Sequence, residues 1–407
     1  MTLSNSFVAD VVEPVQFLYA GPSGARRCQF STLQVLDSHL ASPENKDYTC
    51  LTISICQRNS WRPLQITQSM LDSIVSHYGI GSAFWDLPSC FYTRNMDLEE
   101  AFCAPYTQIP SDTGIEALYS IRYPEFKEKE AAWTIRQTGV YHQFNAETRQ
   151  SIYILFSPLP NSRVHQLAAE FLLGNPKEET ESNPFWLHRS LFSVYLPAWR
   201  QYIAAHEREL LGIRNNTFAS YIDRPLSIGY DSLTKLVGLE NRFLQIPTIL
   251  SHATEVLDEL VVLTAHQQSQ SLLSAKTASL LAAQLKSHRR QCTTYSRTAS
   301  YLLQRAQATA QLLAETLSFR DQVISKDQNG AMLRLNKSVV FITTVTLLYL
   351  PASFVSSFFG MNFFDMDADH NRIVATSMIW IYVVVAILLT AATPARPRVV
   401  GPGPEVR

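Results

Sequence analysis

The segment "SVVFITTVTLLYLPASFVSSFFGMNFF", residues 338–364, decides the fold, because 27 consecutive positions carry no charge. A second uncharged run extends from Ile373 to Ala395. Each run is longer than the roughly 20 residues that a helix needs to cross about 30 Å of hydrocarbon. Core helices of soluble domains are usually shorter and carry a polar, solvated side. The sequence therefore predicts two transmembrane helices, at 338–364 and 373–395.

The charges that flank the two spans predict their orientation. Arg334 and Lys337 precede the first span, and Arg396 and Arg398 follow the second. The connection, "DMDADHNR" at 365–372, holds three acids and a single arginine. Because cytoplasmic flanks carry the excess of Lys and Arg, we expect both termini in the cytosol and this loop outside. This describes a two-pass integral membrane protein, in the plasma membrane rather than an organelle, with a disordered cytosolic tail at 396–407.

Composition and motifs exclude several classes of function. The 407 residues carry a formal net charge of −1, which argues against a nucleic-acid partner. No GxxxxGK[ST], GxSxG or HExxH stretch occurs, so we expect neither an enzyme nor a bound cofactor. The six cysteines form no CxxC pair and are expected to be reduced structural thiols. His252 and His266 lie in a helical stretch, where packing or surface roles are expected.

Strand and helix patterns alternate in the first half of the chain. "TCLTISIC" (49–56) predicts a strand, and residues 131–144 and 151–157 predict a hairpin. Residues 161–174 predict a helix that is capped by Asn161 or Ser162 and stopped by Gly174. A second predicted helix, at 191–212, is interrupted or started at Pro197. These elements predict a cytosolic α/β domain at 1–235.

Long helices are predicted for residues 236–337, which we call the stalk. No Gly or Pro occurs between Pro247 and Gly330, and apolar residues recur at steps of three and four. We expect two antiparallel helices with a break near "HQQSQS" (266–271). The second helix is expected to continue into the first span.

A polar stripe follows the first span at heptad spacing, which keeps one face toward a partner helix. Its seven positions, five of them polar, are Asn336, Val339, Thr343, Thr346, Leu350, Ser353 and Ser357. Single Ser and Thr residues commonly serve helix packing by bonding to their own backbone or across helices. One helix cannot enclose a pore, but several copies around an axis can. The stripe therefore indicates either helix packing or a homo-oligomeric channel, with Val339 and Leu350 as apolar gate rings.

The tripeptide Gly360-Met361-Asn362, at the outer end of the first of two C-terminal spans, resembles the signature of the CorA family of magnesium channels. "LYLPASFVSSFFGMNFF" (348–364) extends the likeness, which is clearest over residues 333–395. "WTIRQTGVYHQF" and "LFSVYLPAWRQYIAAHEREL" are similar to segments of fungal CorA-like proteins. The resemblance implies a funnel-shaped homopentamer of cytosolic α/β domains, stalk helices and two transmembrane helices, with the first span lining the pore.

The resemblance implies which positions of the first span face the pore, and most of these positions belong to the stripe. They are Asn336, Val339, Ile342, Leu350 and Ser353. One departure concerns the stalk, where family members carry an acid that binds cytosolic Mg²⁺ and closes the pore. Ser325 stands at that position, with Asp321 and Asp327 nearby on other faces or turns. Gating by magnesium through that site is therefore in doubt.

The predicted outer entrance of the pore, at residues 360–369, suits a hydrated ion. Mg²⁺ gives up its water reluctantly, so an entry should offer hydrogen-bond acceptors to the bound water. A ring of Asn362 side chains would do so as a selectivity filter, with Gly360 allowing a tight turn and Met361 packing beneath. The outer acidic residues either raise the local cation concentration or only mark the outer side. They are Asp365, Asp367 and Asp369.

The combined prediction is a divalent-ion channel that passes Mg²⁺ passively into the cytosol. Its partners would be the lipid bilayer, divalent cations and further copies of the chain. Two alternatives remain: a non-conducting, membrane-anchored scaffold or sensor of the same fold, favoured by Ser325, and a zinc transporter of the same architecture.

Overall fold

The computed structural model describes residues 6–22, 24–94, 102–109, 114–174, 183–218, 229–359, 364–367 and 372–392. The chain divides into two compact units, residues 1–314 and residues 315–407.

A mixed seven-stranded sheet forms the centre of the first unit. Its strands are β1 (Val15–Gly21), β2 (Gly24–Phe30), β3 (Cys50–Cys56), β4 (Thr107–Ile109), β5 (Gly114–Lys127), β6 (Ala132–Asn145) and β7 (Gln150–Ser157). The spatial order is β2-β1-β3-β7-β6-β5-β4. Only β3 and β7 pair in parallel; the other described neighbours are antiparallel. The parallel pair joins the N-terminal strands, in the order β2-β1-β3, to a C-terminal meander of β4 to β7.

The structure confirms the strand predicted at 49–56 and the hairpin of β6 and β7. The hairpin register runs from Gly139↔Phe156 to Asn145↔Gln150. All seven residues of β3 are buried, although its sequence alternates between apolar and polar. β3 lies between β1 and β7, and helices cover both faces of the sheet there. Neither side of the strand is therefore exposed to solvent.

Helices cover both faces of this sheet. Against one face pack α1 (Leu33–Ala41) and α2 (Gln68–Tyr78), which share a core with Ile53 and Phe156. After the short α3 (Asp86–Ser89), α4 (Arg163–Leu173) and α5 (Trp186–Phe218) pack against the other face. There Tyr153 lies 6.1 Å from Trp186, between ring centroids. Successive residues of one strand thus pack against helices on opposite faces of the sheet, because side chains alternate between the two faces.

The structure corrects the prediction at Pro197. α5 runs through this proline instead of stopping or starting there. A proline inside a helix removes one backbone hydrogen bond and crowds the preceding turn. Leu196 and Trp199 beside it are buried, so tertiary packing offsets that cost. For α4, Ser162 is the N-cap and Gly174 the C-cap, but the Ser162 hydroxyl makes no capping hydrogen bond.

Two long helices follow, α6 (Tyr230–Ser269) and α7 (Ala275–Phe359), and the first unit ends within α7. They are antiparallel, because Asp258 pairs with Arg289 at 2.8 Å while the earlier Thr254 bonds to the later Cys292. The break predicted near 266–271 is confirmed.

The second unit contains the end of α7, a hairpin of β8 (Phe364–Asp367) and β9 (Arg372–Ala375), and α8 (Ile379–Ala392). The helix boundaries therefore differ from those expected. α7 ends at Phe359, not at 364, and α8 begins at Ile379, not at 373. Backbone pairing within the hairpin satisfies N–H and C=O groups that the predicted helices would have used. The tail at 396–407 lies outside the described residues.

Candidate ion pathway

The last part of α7 has the length and composition of a membrane span. Residues 338–359 extend about 33 Å at 1.5 Å per residue, just beyond a hydrocarbon core of about 30 Å. Its most apolar window has a mean hydropathy of 1.9, and only 11% of that window is buried, unlike the core helix of a soluble domain. Within the described residues no other helix meets the same test. The apolar α8 has 14 residues, about 21 Å.

The hydroxyl groups of the stripe bond to their own helix. Thr343 donates to the carbonyl of Val339 at 2.8 Å, and Thr346 to that of Ile342 at 2.8 Å. Ser353 donates to the carbonyl of Leu350 at 3.1 Å. A hydroxyl has one donor and two acceptor lone pairs. With the donor engaged in this way, each exposed oxygen presents acceptors, which suit the water protons around a cation.

The helix α8 packs against another face of α7. The Tyr382 hydroxyl of α8 donates to the carbonyl of Ala352 at 3.3 Å, and Val355, on the same side of α7, is 2% exposed. At about 100° per residue, Ala352 and Val355 lie roughly 200° and 140° around the helix from Leu350. The stripe positions fall within about 60° of Leu350. Packing within one chain therefore leaves the polar stripe uncovered.

The other predicted pathway residues of α7 also lie on exposed positions. Asn336, Val339, Ile342, Leu350 and Ser357 are exposed in the single chain. The tripeptide 360–362 and Asp369 lie outside the described residues. Asp365 and Asp367 belong to β8, where their backbones pair with Val374 and Arg372. The assignment of filter and gate residues thus stays a prediction.

The stalk residues around the family's regulatory metal position are exposed, and the doubt about magnesium gating stays a prediction. Ser325, Asp321 and Asp327 are all exposed on α7. Nowhere in the described part of the chain do three or more His, Cys, Asp or Glu side chains form a group that could hold a metal ion. The six cysteines are free thiols, five of them buried, as the sequence predicts.

A buried polar network in the α/β domain escaped the sequence analysis. The Tyr119 hydroxyl lies 2.7 Å from His188 Nδ1, and His188 Nε2 lies 3.0 Å from His142 Nδ1. Desolvation lowers the pKa of His188 to about 3 and that of His142 well below its usual range. Both imidazoles are therefore neutral in the folded protein. The three residues are distant in sequence, and only the packing of α5 on β5 and β6 brings them together.

Profiles of two related families match the chain. The family described as "CorA-like transporters" matches residues 4–217, and the "CorA-like Mg2+ transporter protein" family matches residues 136–393. The second match alone covers more than half of the chain and includes the membrane span and its polar stripe. The chain belongs to the CorA-like Mg²⁺ transporter family. The resemblance seen in the sequence is confirmed, while the fungal subtype stays a prediction.

Three solved structures are similar to this CorA-like chain at low sequence identity. The soluble domain of CorA from Methanocaldococcus jannaschii matches at 12% identity and a TM-score of 0.48, covering 75% of this chain and 98% of that one. The complete CorA magnesium transporter of the same organism matches at 12% identity and 0.44, covering 93% and 95%. The ZntB cytoplasmic domain from Vibrio parahaemolyticus matches at 11% and 0.43, covering 76% and 99%. A search of curated protein sequences found no match.

Family membership confirms the coarse function predicted from the sequence. Proteins of this family are membrane transporters of divalent cations, not enzymes. The α/β domain followed by a long helix is likewise confirmed.

Proposed function

We propose that this CorA-like protein is a homopentameric channel that passes Mg²⁺ into the cytosol. Its pore would be lined by the polar stripe of α7, and ions would enter it on the outer side through a selectivity filter formed by a ring of Asn362 side chains. Both termini would lie in the cytosol, with α8 as the second span. The plasma membrane is the membrane we assign.

The observation that carries this proposal is the placement of the stripe on α7. Polar positions at heptad spacing are uncovered, while α8 packs around Ala352 and Val355 on another face. A polar face turned toward lipid would be unfavourable, whereas several copies around an axis would turn it toward a water-filled pore. Val339, Ile342 and Leu350 interleave with the polar positions and would form apolar rings that can gate by dewetting.

The chemistry of the pathway suits a hydrated divalent ion. Hydroxyl and amide oxygens can accept hydrogen bonds from the water of Mg²⁺ without stripping it. Carboxylates at Asp365, Asp367 and Asp369 would raise the cation concentration at the mouth. The membrane potential supplies the driving force, since a divalent ion entering at −100 mV gains about 4–5 kcal/mol.

The test is ion flux by the purified chain, sized first in detergent by native mass spectrometry. We expect a pentamer that, in liposomes, admits Mg²⁺ down its gradient and passes Zn²⁺ more slowly. A monomer or dimer would contradict the pore. An intact pentamer without flux would instead favour the scaffold or sensor, for which Ser325 at the stalk is the supporting observation. Faster Zn²⁺ than Mg²⁺ flux would favour the zinc transporter.

A further inference from the structure

A polar cavity in the first unit has no part in the proposed ion pathway. Its volume is about 290 Å³, at the lower end of the size of small-molecule sites. It lies where the loop after β3, the strands β5 and β6, and the helices α5 and α6 meet. The residues that line it are Ser60, Trp61, Arg94, Arg122, Trp133, Thr134, Ile135, Tyr202, Arg242 and Gln245.

Three arginines and no acidic residue occur in this described lining. Arg122 is 6% exposed and donates to Gln137 Oε1, a neutral acceptor, at 3.3 Å. The guanidinium of Arg94 lies 5.0 Å from the ring centroid of Tyr92. Outside the lining, Glu209 lies 3.8 Å from Arg242, whose side chain is half-exposed. Guanidinium groups from a loop, a strand and a helix thus converge on one cavity.

A smaller cavity beside it extends the same positive region. It shares Ser60, Arg94, Arg122 and Ile135 with the first cavity and adds Arg136. Arg136 is 7% exposed; its Nη1 donates to Ser60 Oγ at 2.7 Å, and its Nε lies 3.4 Å from Glu125. Four arginines thus line two adjoining cavities, and such a set of guanidinium donors suits an anionic ligand.

Flat rings and an unused acceptor line the rest of the cavity. Trp61 is 40% exposed, and Trp133 meets Tyr202 edge to face at a centroid distance of 5.6 Å. The Gln245 Oε1 atom is buried and has no hydrogen-bond partner within the described structure. A ligand with a planar ring and an N–H or O–H donor would use both features.

We propose that this cavity binds a small phosphate-bearing anion, with the phosphate on Arg94, Arg122 and Arg242. Guanidinium groups match phosphate oxygens with paired, charge-assisted hydrogen bonds, and a dianion can engage several of them together. The phosphate can come from a nucleotide, whose base would lie against a tryptophan, or from free inorganic phosphate. As a cytosolic ligand site in a transporter chain, the cavity would be a place where metabolite levels act on transport.

Calorimetry on the full-length protein in detergent and Mg²⁺-free buffer tests this proposal, with AMP, inorganic phosphate and adenosine as probes. We expect AMP or phosphate to bind, more weakly as salt rises, and adenosine not to bind at AMP concentrations that saturate. Tighter binding of AMP than of phosphate would assign the nucleotide as the source; equal binding would assign free phosphate. Absence of binding by both, or adenosine binding as tightly as AMP, would overturn the proposal.

Variants distinguish binding in this cavity from unspecific attraction of anions to a basic surface. Arg94→Gln and Arg242→Gln replace partly exposed side chains and are expected to fold, and each should weaken binding at least about tenfold. Arg27→Gln, at an exposed position of β2 outside the cavity, is the control and should bind like the wild type. An equal loss in this control would overturn the site. Calorimetry measures ligand binding and not ion flux, so a failure of this proposal can be distinguished from a failure of the proposed channel function.

Discussion

Threonine hydroxyl groups on different faces of α7 allow a test of whether the polar stripe lines a pore or only serves helix packing. Thr343, Thr344 and Thr346 each donate to the carbonyl four residues earlier at 2.8 Å. Their local bonding is therefore the same. Their faces differ, because Thr343 and Thr346 belong to the stripe while Thr344 lies about 120° from Leu350, on the side that α8 contacts.

Thr343→Val should lower Mg²⁺ flux through liposomes at least about fivefold, because a ring of methyl groups replaces a ring of acceptor oxygens. Thr344→Val removes the same intrahelical bond on another face and should stay within about twofold of the wild type. Equal flux in the two variants would show that the stripe serves packing only.

The buried histidines predict a loss of stability in mild acid. Burial lowers the pKa of His165 to about 4 and that of His188 to about 3, whereas an unfolded histidine titrates near 6.5. Below pH 6.5 the unfolded state binds more protons, so the free energy of unfolding falls as pH falls, by up to about 1.4 kcal/mol per unit for each such histidine. Thermal unfolding of the full chain between pH 7.5 and pH 5.5 measures this. His188→Gln should flatten the profile, and the exposed control His266→Gln should not.

Strands whose pattern is local were predicted correctly from the sequence. "TCLTISIC" and the pair β6 and β7 carry β-branched and aromatic runs with a turn between them, and the structure confirms them. The hairpin of β1 and β2 was missed, although "GPSG" at 21–24 is a turn signal. Pro197 was misjudged because its cost is offset by long-range burial, which periodicity does not reveal.

The stability of the first unit should depend on the apolar packing of α6 more than on its ion pair with α7. Leu257 is fully buried, whereas Asp258 and Arg289 expose about half of their side chains at 47% and 53%. Leu257→Ala should cost about 2–5 kcal/mol, against about 0–1 kcal/mol for Asp258→Asn. The melting temperatures of the two variants compare them directly. A larger loss in Asp258→Asn would contradict this ranking.

For the whole molecule, the sequence predicted the family and the membrane span but not the site's geometry. An uncharged run and Gly-Met-Asn are local signals that one sequence displays. The face on which α8 packs, shown by Tyr382 and Val355, depends on contacts between segments far apart in the chain. The arginine cavity is a further case, since Arg94, Arg122 and Arg242 come from a loop, a strand and a helix.

In the proposed channel, Mg²⁺ crosses the membrane through a ring of Asn362 side chains at the outer end of the polar stripe. Mg²⁺ flux into liposomes containing the sized oligomer tests it, with Asn362→Ala against the control Asn371→Ala from the predicted outer loop. We expect flux in the wild type and in Asn371→Ala, and none in Asn362→Ala, because that variant loses the acceptors for the hydrated ion. Unchanged flux in Asn362→Ala would contradict it.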